Sequence, residues 1–260
     1  MTTPQHPELI FLDLDGTSVI YEPHLALAPG LADLLADLGV RRGVRWCMNS
    51  DRLSRTQIHL AQQLPADMRP AAICSIQRYI HWKTPDGAYL PDERVNSEAD
   101  RIHATLWKTL QHHFESWMEG IHRRFPVHEH VADEFMLAIQ TTADAVPELR
   151  RHLTDLLEPW PEAFISGNIA WVFVVHREFS KGRVLSIVAE RLGVPKERVL
   201  AVGDGFNDIP MLDGTRAGLC GCPANAEDGV KAAVAAAGGI ISAAEGPHGT
   251  IDIIRRLCGM

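Results

Sequence analysis

The residues best suited to chemistry fall into four short groups. Asp13 and Asp15, in Asp13-Leu14-Asp15-Gly16-Thr17, stand two residues apart at the end of an apolar run that begins at Glu8. Two carboxylates so placed can hold a divalent cation while one oxygen acts as a nucleophile. A polar turn with capping aspartates is the plainer reading of the same residues. Gly203-Asp204-Gly205-Phe206-Asn207-Asp208 follows a second apolar run, Val199 to Val202, and gathers acids and an amide among glycines that let backbone approach a ligand. A strand-to-helix loop with Asp208 near a helix N-terminus accounts for less of it. Lys181, in Ser180-Lys181-Gly182, opens a helical stretch, where a cation is mildly unfavourable unless an anion meets it. Asn49-Ser50-Asp51 puts a hydroxyl and backbone N–H groups at another helix start. That is a natural phosphate cradle, although N-capping explains it equally well.

These groups need rigid elements behind them. Glu8 to Leu14 is short and apolar enough to be a strand buried on both faces, as in a parallel sheet. Leu31 to Gly39 carries leucines at helical spacing with a glycine as its stop. Val44 to Met48 reads as a strand, Arg52 to Leu64 as a helix and Ala71 to Ile76 as a third strand. This β-α-β-α-β rhythm points to a parallel sheet with helices on its faces. It returns near the C-terminus: helix Lys181 to Leu192, strand Val199 to Val202, a helix start over Asp208 to Leu212, and strand Ala217 to Cys220. Helix Ala226 to Ala237, strand Gly239 to Ile241 and helix Thr250 to Leu257 complete it. In open parallel sheets ligands bind beyond the carboxyl ends of the strands, where Asp13, Asp15 and Asp204 fall.

The middle of the chain differs. From about Thr84 to Arg177 the composition shifts toward His, Trp and Glu, with a long amphipathic stretch from Ser97 to Met118. Strand candidates alternate in polarity (Glu134 to Thr141) or are aromatic (Ile169 to Val175), as in an antiparallel sheet with one exposed face. The expected architecture is α/β: a doubly wound, Rossmann-like parallel-sheet core over 1–83 and 178–260, with an α+β domain inserted at 84–177. The histidines of the insert (His112, His113, His122, His128, His130) fit no common zinc spacing and read as exposed. Cys220-Gly-Cys222 lacks two further ligands and reads as packing on a buried strand. Trp107, Trp117, Trp160 and Trp171 read as core anchors or as a stacking platform for a sugar, and Arg123 and Arg124 as solvated surface or a reach toward substrate.

Taken together and in this order, the four groups resemble the haloacid dehalogenase superfamily of phosphohydrolases. Asp13-Leu14-Asp15-Gly16-Thr17 looks like its first motif, Ser50 its second, Lys181 its third and Gly203 to Asp208 its fourth. An insert between the second and third motifs resembles the Cof-like (IIB) branch with its type-2 α+β cap, which includes sucrose- and trehalose-phosphate phosphatases. Ala224-Asn225-Ala226 is similar to the same branch. One departure stands out: the branch reads Thr-Gly-Arg where this chain has Ser50-Asp51-Arg52. Asp51 is expected to turn outward and cap the following helix, and either Asn49 or Ser50 is the phosphate ligand of that motif.

The resemblance implies an Mg²⁺-dependent phosphatase. Asp13 would attack phosphorus, and Asp15 would protonate the leaving group and then activate water. Asp13, the Asp15 backbone carbonyl and Asp204 would hold Mg²⁺, with Lys181 and Ser50 on the transferring oxygens. Asp208 would act through a metal-bound water or by orienting Lys181, with Asn207 positioning either group. The substrate implied is a small phosphorylated metabolite, with sugar phosphates favoured. A sugar phosphomutase and a non-catalytic phosphometabolite-binding protein are the alternatives; a dehalogenase has no need of Asp15.

Composition agrees with such a role and excludes others. The chain has 260 residues, 46% hydrophobic and 22% charged, the balance of a folded globular protein. A formal net charge of −8 without a basic run argues against nucleic acid or an anionic membrane as partner. There is no apolar run of membrane-spanning length and no secretion-signal pattern at the N-terminus, and the five scattered cysteines suit reduced thiols in the cytoplasm. Oligomeric state is not legible in these features.

Overall fold

Strand β1 (Leu9–Leu12) has all four residues shielded from solvent, as the uninterrupted apolar run requires. Around it the computed structural model, which describes residues 6–133 and 137–260, builds two compact units. One unit is Met1–Glu93 with Ser180–Met260; the other is Arg94–Phe179.

In the first unit, β1 is followed by a short hairpin, β2 (Val19–Ile20) and β3 (Ala26–Leu27), and by helix α1 (Pro29–Arg42). Strand β4 (Arg45–Ser50), helix α2 (Ser54–Gln62), strand β5 (Ala72–Ser75), and strands β6 (Tyr79–Lys83) and β7 (Tyr89–Pro91) come next. The second unit holds helix α3 (Glu93–Arg124, its first residue in the first unit), strands β8 (Val127–Ala132) and β9 (Leu137–Thr141), helix α4 (Val146–Leu156), and strands β10 (Ala163–Gly167) and β11 (Trp171–His176). The chain then re-enters the first unit through α5 (Lys181–Arg191), β12 (Val199–Val202), α6 (Ile209–Leu212) and β13 (Leu219–Cys222). It closes with α7 (Asp228–Ala236), β14 (Ile240–Ile241) and α8 (Gly246–Cys258).

The large sheet runs β14-β13-β12-β1-β4-β5-β6-β7. Every pair from β14 to β5 is parallel; β6 and β7 add an antiparallel edge. The chain moves outward from β1 through β4 and β5, then returns to the other side of β1 and moves outward through β12, β13 and β14. The order reverses between β1 and β12, and at such a switch point the loops beyond two neighbouring strands diverge to leave a crevice. The backbone N–H of Asp13 donates to the Val202 carbonyl at 3.0 Å, so the two loops leave the sheet from a fixed point.

The second unit is a four-stranded antiparallel sheet, β10-β11-β9-β8. The period of two along β11 sends Val172 and Val174 into a core with Leu106, Leu110, Phe114 and Leu149 of the helices. Trp171, Phe173 and Val175 point to the other face, with Ala138 and Phe164. Trp107, Trp117 and Trp160 are half-buried against the core, and His112, His113, His122, His128 and His130 are exposed.

Several boundaries differ from the sequence reading. Helix α1 passes through Gly39 and stops at Gly43, whose φ of +66° is the left-handed cap that glycine adopts without penalty. The strand expected over Ala217 to Cys220 lies two residues later, because the Gly218 N–H is drawn to the Lys196 carbonyl at 2.7 Å before pairing begins. Strand β7, assigned to the insert by a boundary at 84, hydrogen-bonds to β6 in the large sheet. Of the strand expected over Glu134 to Thr141, residues 137–141 form β9, and 134–136 lie outside the described residues.

Candidate active site

Four charged side chains meet beyond β1 and β12. Asp13 follows the last residue of β1, Asp204 and Asp208 lie in the loop after β12, and Lys181 is the first residue of α5. Ser180 caps α5, its hydroxyl accepting from the Arg183 N–H at 3.0 Å. Lys181 Nζ donates to Asp13 Oδ1 and to Asp208 Oδ1, each at 2.6 Å, with 1% of its side chain exposed. The other oxygen of Asp208 accepts the N–H groups of Asp204 and Gly205, both at 2.9 Å. Asp208 is therefore committed to Lys181 and to the shape of its own loop. Asp204 Oδ1 accepts from the Thr17 hydroxyl at 2.7 Å, and its Oδ2 from the Asn225 amide at 3.2 Å.

Glycines make room for these carboxylates. A Cβ on Gly16, whose φ is +70°, would stand 2.1 Å from Asp204 Oδ2, and one on Gly203 would stand 2.4 Å from the Asp208 carboxyl carbon. The charges do not balance. Asp13, Asp204 and Asp208 bring −3 against the +1 of Lys181, leaving −2 in a buried pocket. Burial pushes the Asp13 carboxyl above its ordinary range, and Asp208 adds to this despite Lys181. Burial likewise raises Asp208 against the pull of Lys181. Burial and the Asp13 charge lift Asp204 to about 7. Burial alone would lower the Lys181 pKa, but Asp13 and Asp208 reverse that and hold the ammonium charged. One oxygen from each of Asp13, Asp204 and Asp208 lies within 4.8 Å of the others. An all-oxygen set with a residual charge of −2 suits a hard divalent cation.

Asp15, two residues on, sits differently. Its Oδ1 accepts from Arg52 Nη2 and from the Tyr21 hydroxyl, each at 2.6 Å, and its Oδ2 accepts from Arg52 Nε at 2.8 Å. Burial works to raise the Asp15 pKa, but the hydrogen bonds from Arg52 and Tyr21 outweigh it and hold the carboxyl below its usual value.

The second motif is rearranged relative to expectation. Asn49 is fully buried at the end of β4, and its Nδ2 donates to the Lys181 carbonyl at 2.9 Å and to Met211 Sδ at 3.7 Å. Both amide hydrogens face α5 and α6, which ties the Asn49 side chain to the first residue of α5. Ser50 Oγ accepts the Arg52 N–H at 3.3 Å, which leaves its own hydrogen to donate. Asp51 turns inward where an outward cap was expected. Its Oδ2 accepts from the Asn207 amide at 2.6 Å and from Gln77 at 3.3 Å, and α2 has no side-chain cap. The inward turn gives Asn207, itself buried, a charged acceptor in the low-dielectric loop. Sequence reasoning assigned no site role to Thr17, Tyr21, Arg52 or Asn225. Thr17 and Arg52 could have been found from their place within two residues of motif acids and hydroxyls; Tyr21 sits in a hairpin that leaves no sequence signal.

The class of protein follows from this geometry and from the sequence together. The model of the haloacid dehalogenase-like hydrolase family matches residues 69–244, more than half of the chain, and the chain belongs to that family. A phosphoglycolate phosphatase from Methanopyrus kandleri is 37% identical over 98 residues, 35% of this chain. The match spans 40% of that relative's length. The sucrose-phosphatase from Synechocystis has a similar fold, with a TM-score of 0.69 and 16% identity over 97% of this chain and 98% of its own. The IIB sugar phosphatase BT4131 is also similar, with a TM-score of 0.60 and 17% identity over 96% and 97% of the two chains.

Proposed function

We propose that this protein is an Mg²⁺-dependent phosphatase that releases phosphate from a small phosphorylated metabolite through a covalent intermediate on Asp13. The observation that carries this reading is Lys181, buried between Asp13 and Asp208 at the switch point of a parallel sheet, with Asp204 completing a cluster two charges short of neutrality. A cluster built for packing alone would not leave that deficit.

Asp13 Oδ attacks phosphorus in line with the ester oxygen. Lys181, held in place by Asp208 and by Asn49 on its carbonyl, and the free hydrogen of Ser50 steady the transferring oxygens. Asp15 gives a proton to the leaving oxygen and later takes one from the water that cleaves the aspartyl phosphate. Asp13, Asp204 and the Asp15 backbone carbonyl would hold Mg²⁺, which when bound supplies charge stabilisation for the phosphoryl group. Asp208 supports the site through Lys181, and Asn207 is fixed by Asp51.

Substrate class draws on the comparisons. The fold similarity to sugar phosphatases favours a sugar phosphate, and the curated relatives favour phosphoglycolate. We assign the choice among them to the separate unit Arg94–Phe179, in the role of the cap expected at 84–177. Among the described residues no helix is long and apolar enough to cross a membrane, and all five cysteines are free and buried, which suits a reducing compartment such as the cytoplasm. The test is phosphate release from a panel of phosphorylated metabolites, with Mg²⁺ and with EDTA, beside Asp13→Asn. Metal-dependent release that vanishes in the variant is expected; no release from folded, metal-loaded protein across the panel overturns the reading.

A further inference from the structure

We propose that Arg52 selects substrates whose leaving group carries a second anionic group, a carboxylate or a further phosphate, and that this anion takes the place of Asp15 on the guanidinium. The inference rests on the phosphatase reading and deepens it. In that reading Asp15 must face the leaving oxygen with a proton to give. Here both of its oxygens are occupied, and all three contacts are donors pointed at it: Arg52 Nε, Arg52 Nη2 and the Tyr21 hydroxyl. Held this way the Asp15 carboxyl accepts three hydrogen bonds and is engaged with Arg52 and Tyr21 instead of a leaving group. It is parked.

Release requires something else to occupy Arg52. A guanidinium gripped through Nε and Nη2 presents a planar fork, and the groups that match that fork are carboxylates and phosphates. The pair is also reachable. Side-chain exposure is 30% for Arg52 and 41% for Asp15, against 1% for Lys181. A half-exposed ion pair is weak enough to exchange for another anion, whereas the buried Lys181 pair is not. Two of the three Lys181 donors go to Asp13 and Asp208, and in the phosphatase reading the third serves the transferring phosphoryl oxygens, so none remains for a second anion. An ester with a neutral leaving group would leave the Arg52 fork on Asp15.

The balance of the step is simple. The anionic group of the substrate docks on Arg52, and Asp15 leaves and takes a proton from solvent. As the ester P–O bond breaks and the Asp13–P bond forms, that proton passes to the leaving oxygen.

Three esters of one two-carbon skeleton test this in the Mg²⁺-loaded full chain: phosphoglycolate, ethylene glycol bisphosphate and 2-hydroxyethyl phosphate. Wild-type kcat/KM should be about ten- to a hundredfold higher for at least one charged ester than for the neutral one. Which charged ester wins separates carboxylate from phosphate. Arg52→Gln should bring the ratio to about one, and Arg52→Lys, which keeps the charge and loses the fork, should fall between. Calorimetric binding of the charged ester to Asp13→Asn protein should weaken by a similar factor when Arg52→Gln is added, while folding is monitored by circular dichroism. Equal kcat/KM for all three esters in the wild type, or a preference that survives Arg52→Gln, overturns the proposal and leaves the phosphatase reading standing. No phosphate release from any ester would instead overturn that reading, and this inference with it.

Discussion

Asp13 and Asp15 are two residues apart and live in opposite electrostatic regimes. Burial is the largest influence on both, and in both it works against the charge. At Asp13 it prevails, because Asp208 adds its charge and shares the one ammonium; at Asp15 it loses, because a guanidinium and a phenol supply three donors to one carboxylate. The inner cluster is short of positive charge and sealed, while the outer pair is balanced and open. A sealed deficit asks for a cation; an open, balanced pair can exchange partners. One strand end thus serves two kinds of chemistry, because the residues after it diverge into different surroundings.

The largest effect should come from breaking the inner cluster at Asp13, the proposed nucleophile. Asp13→Asn is expected to lower turnover by roughly four orders of magnitude or more. It also relieves repulsion among three clustered acids, two of them buried and Asp204 half-buried, so the metal-free melting temperature should stay level or rise. A loss of turnover matched by a large fall in melting temperature would show that Asp13 is structural. Lys181→Met tests the other half of the imbalance. Removing the cation leaves the buried Asp13 and Asp208 without their counter-charge, although Asp208 keeps the N–H groups of Asp204 and Gly205. Stability should fall by about 3 kcal/mol along with activity. Equal stability of this variant and wild type in urea titration would mean that the ion pairs contribute nothing net.

A middle-sized effect concerns pH. Asp204 is lifted from 3.8 to about 7, so between those values the folded chain holds a proton that the unfolded chain has lost. Metal-free stability should therefore fall as pH rises through that window. In the proposed reading Mg²⁺ displaces the same proton, so its stabilising effect should grow as pH rises through about 7. Melting temperatures with Mg²⁺ and with EDTA across this range give the difference directly. A difference that shrinks with rising pH would mean that Asp204 does not take part in binding.

The sequence made the inner cluster far more legible than the outer pair. Asp13, Lys181 and Asp204 each adjoin a strongly patterned element, β1, α5 or β12, so the apolar pattern placed them at strand ends and a helix start. Asp208 follows in the same motif as Asp204, directly before α6. Tyr21 depends on a hairpin of two-residue strands, too short for any period to register. Asp51 was misjudged because capping is a local argument, while its partner Asn207 arrives from a loop 156 positions away. Gly39 is a weak stop signal, because a glycine inside a helix costs only about 1 kcal/mol relative to alanine, and α1 continues through it to Arg42. Apart from the buried Ile80, the edge strands β6 and β7 hold exposed and half-buried residues, and the pairing of β6 with β5 and of β7 with β6 defines them.

The smallest effect sharpens the outer pair. Tyr21 is 54% exposed, and its hydroxyl gives Asp15 one of three hydrogen bonds, the other two being the charged fork of Arg52. Tyr21→Phe deletes only that donor and leaves the ring in place. At an exposed site the stability change should be within about 0.5 kcal/mol. With the Arg52 grip intact, Asp15 stays parked but is held by one contact fewer, so kcat should rise, by about fivefold at most, while KM changes little. A rise confined to esters with poor leaving groups, which need the proton most, would tie the effect to Asp15. A fall in kcat comparable to that of Asp13→Asn would mean instead that the phenol acts on the reacting atoms, and that the two regions are one site and not two.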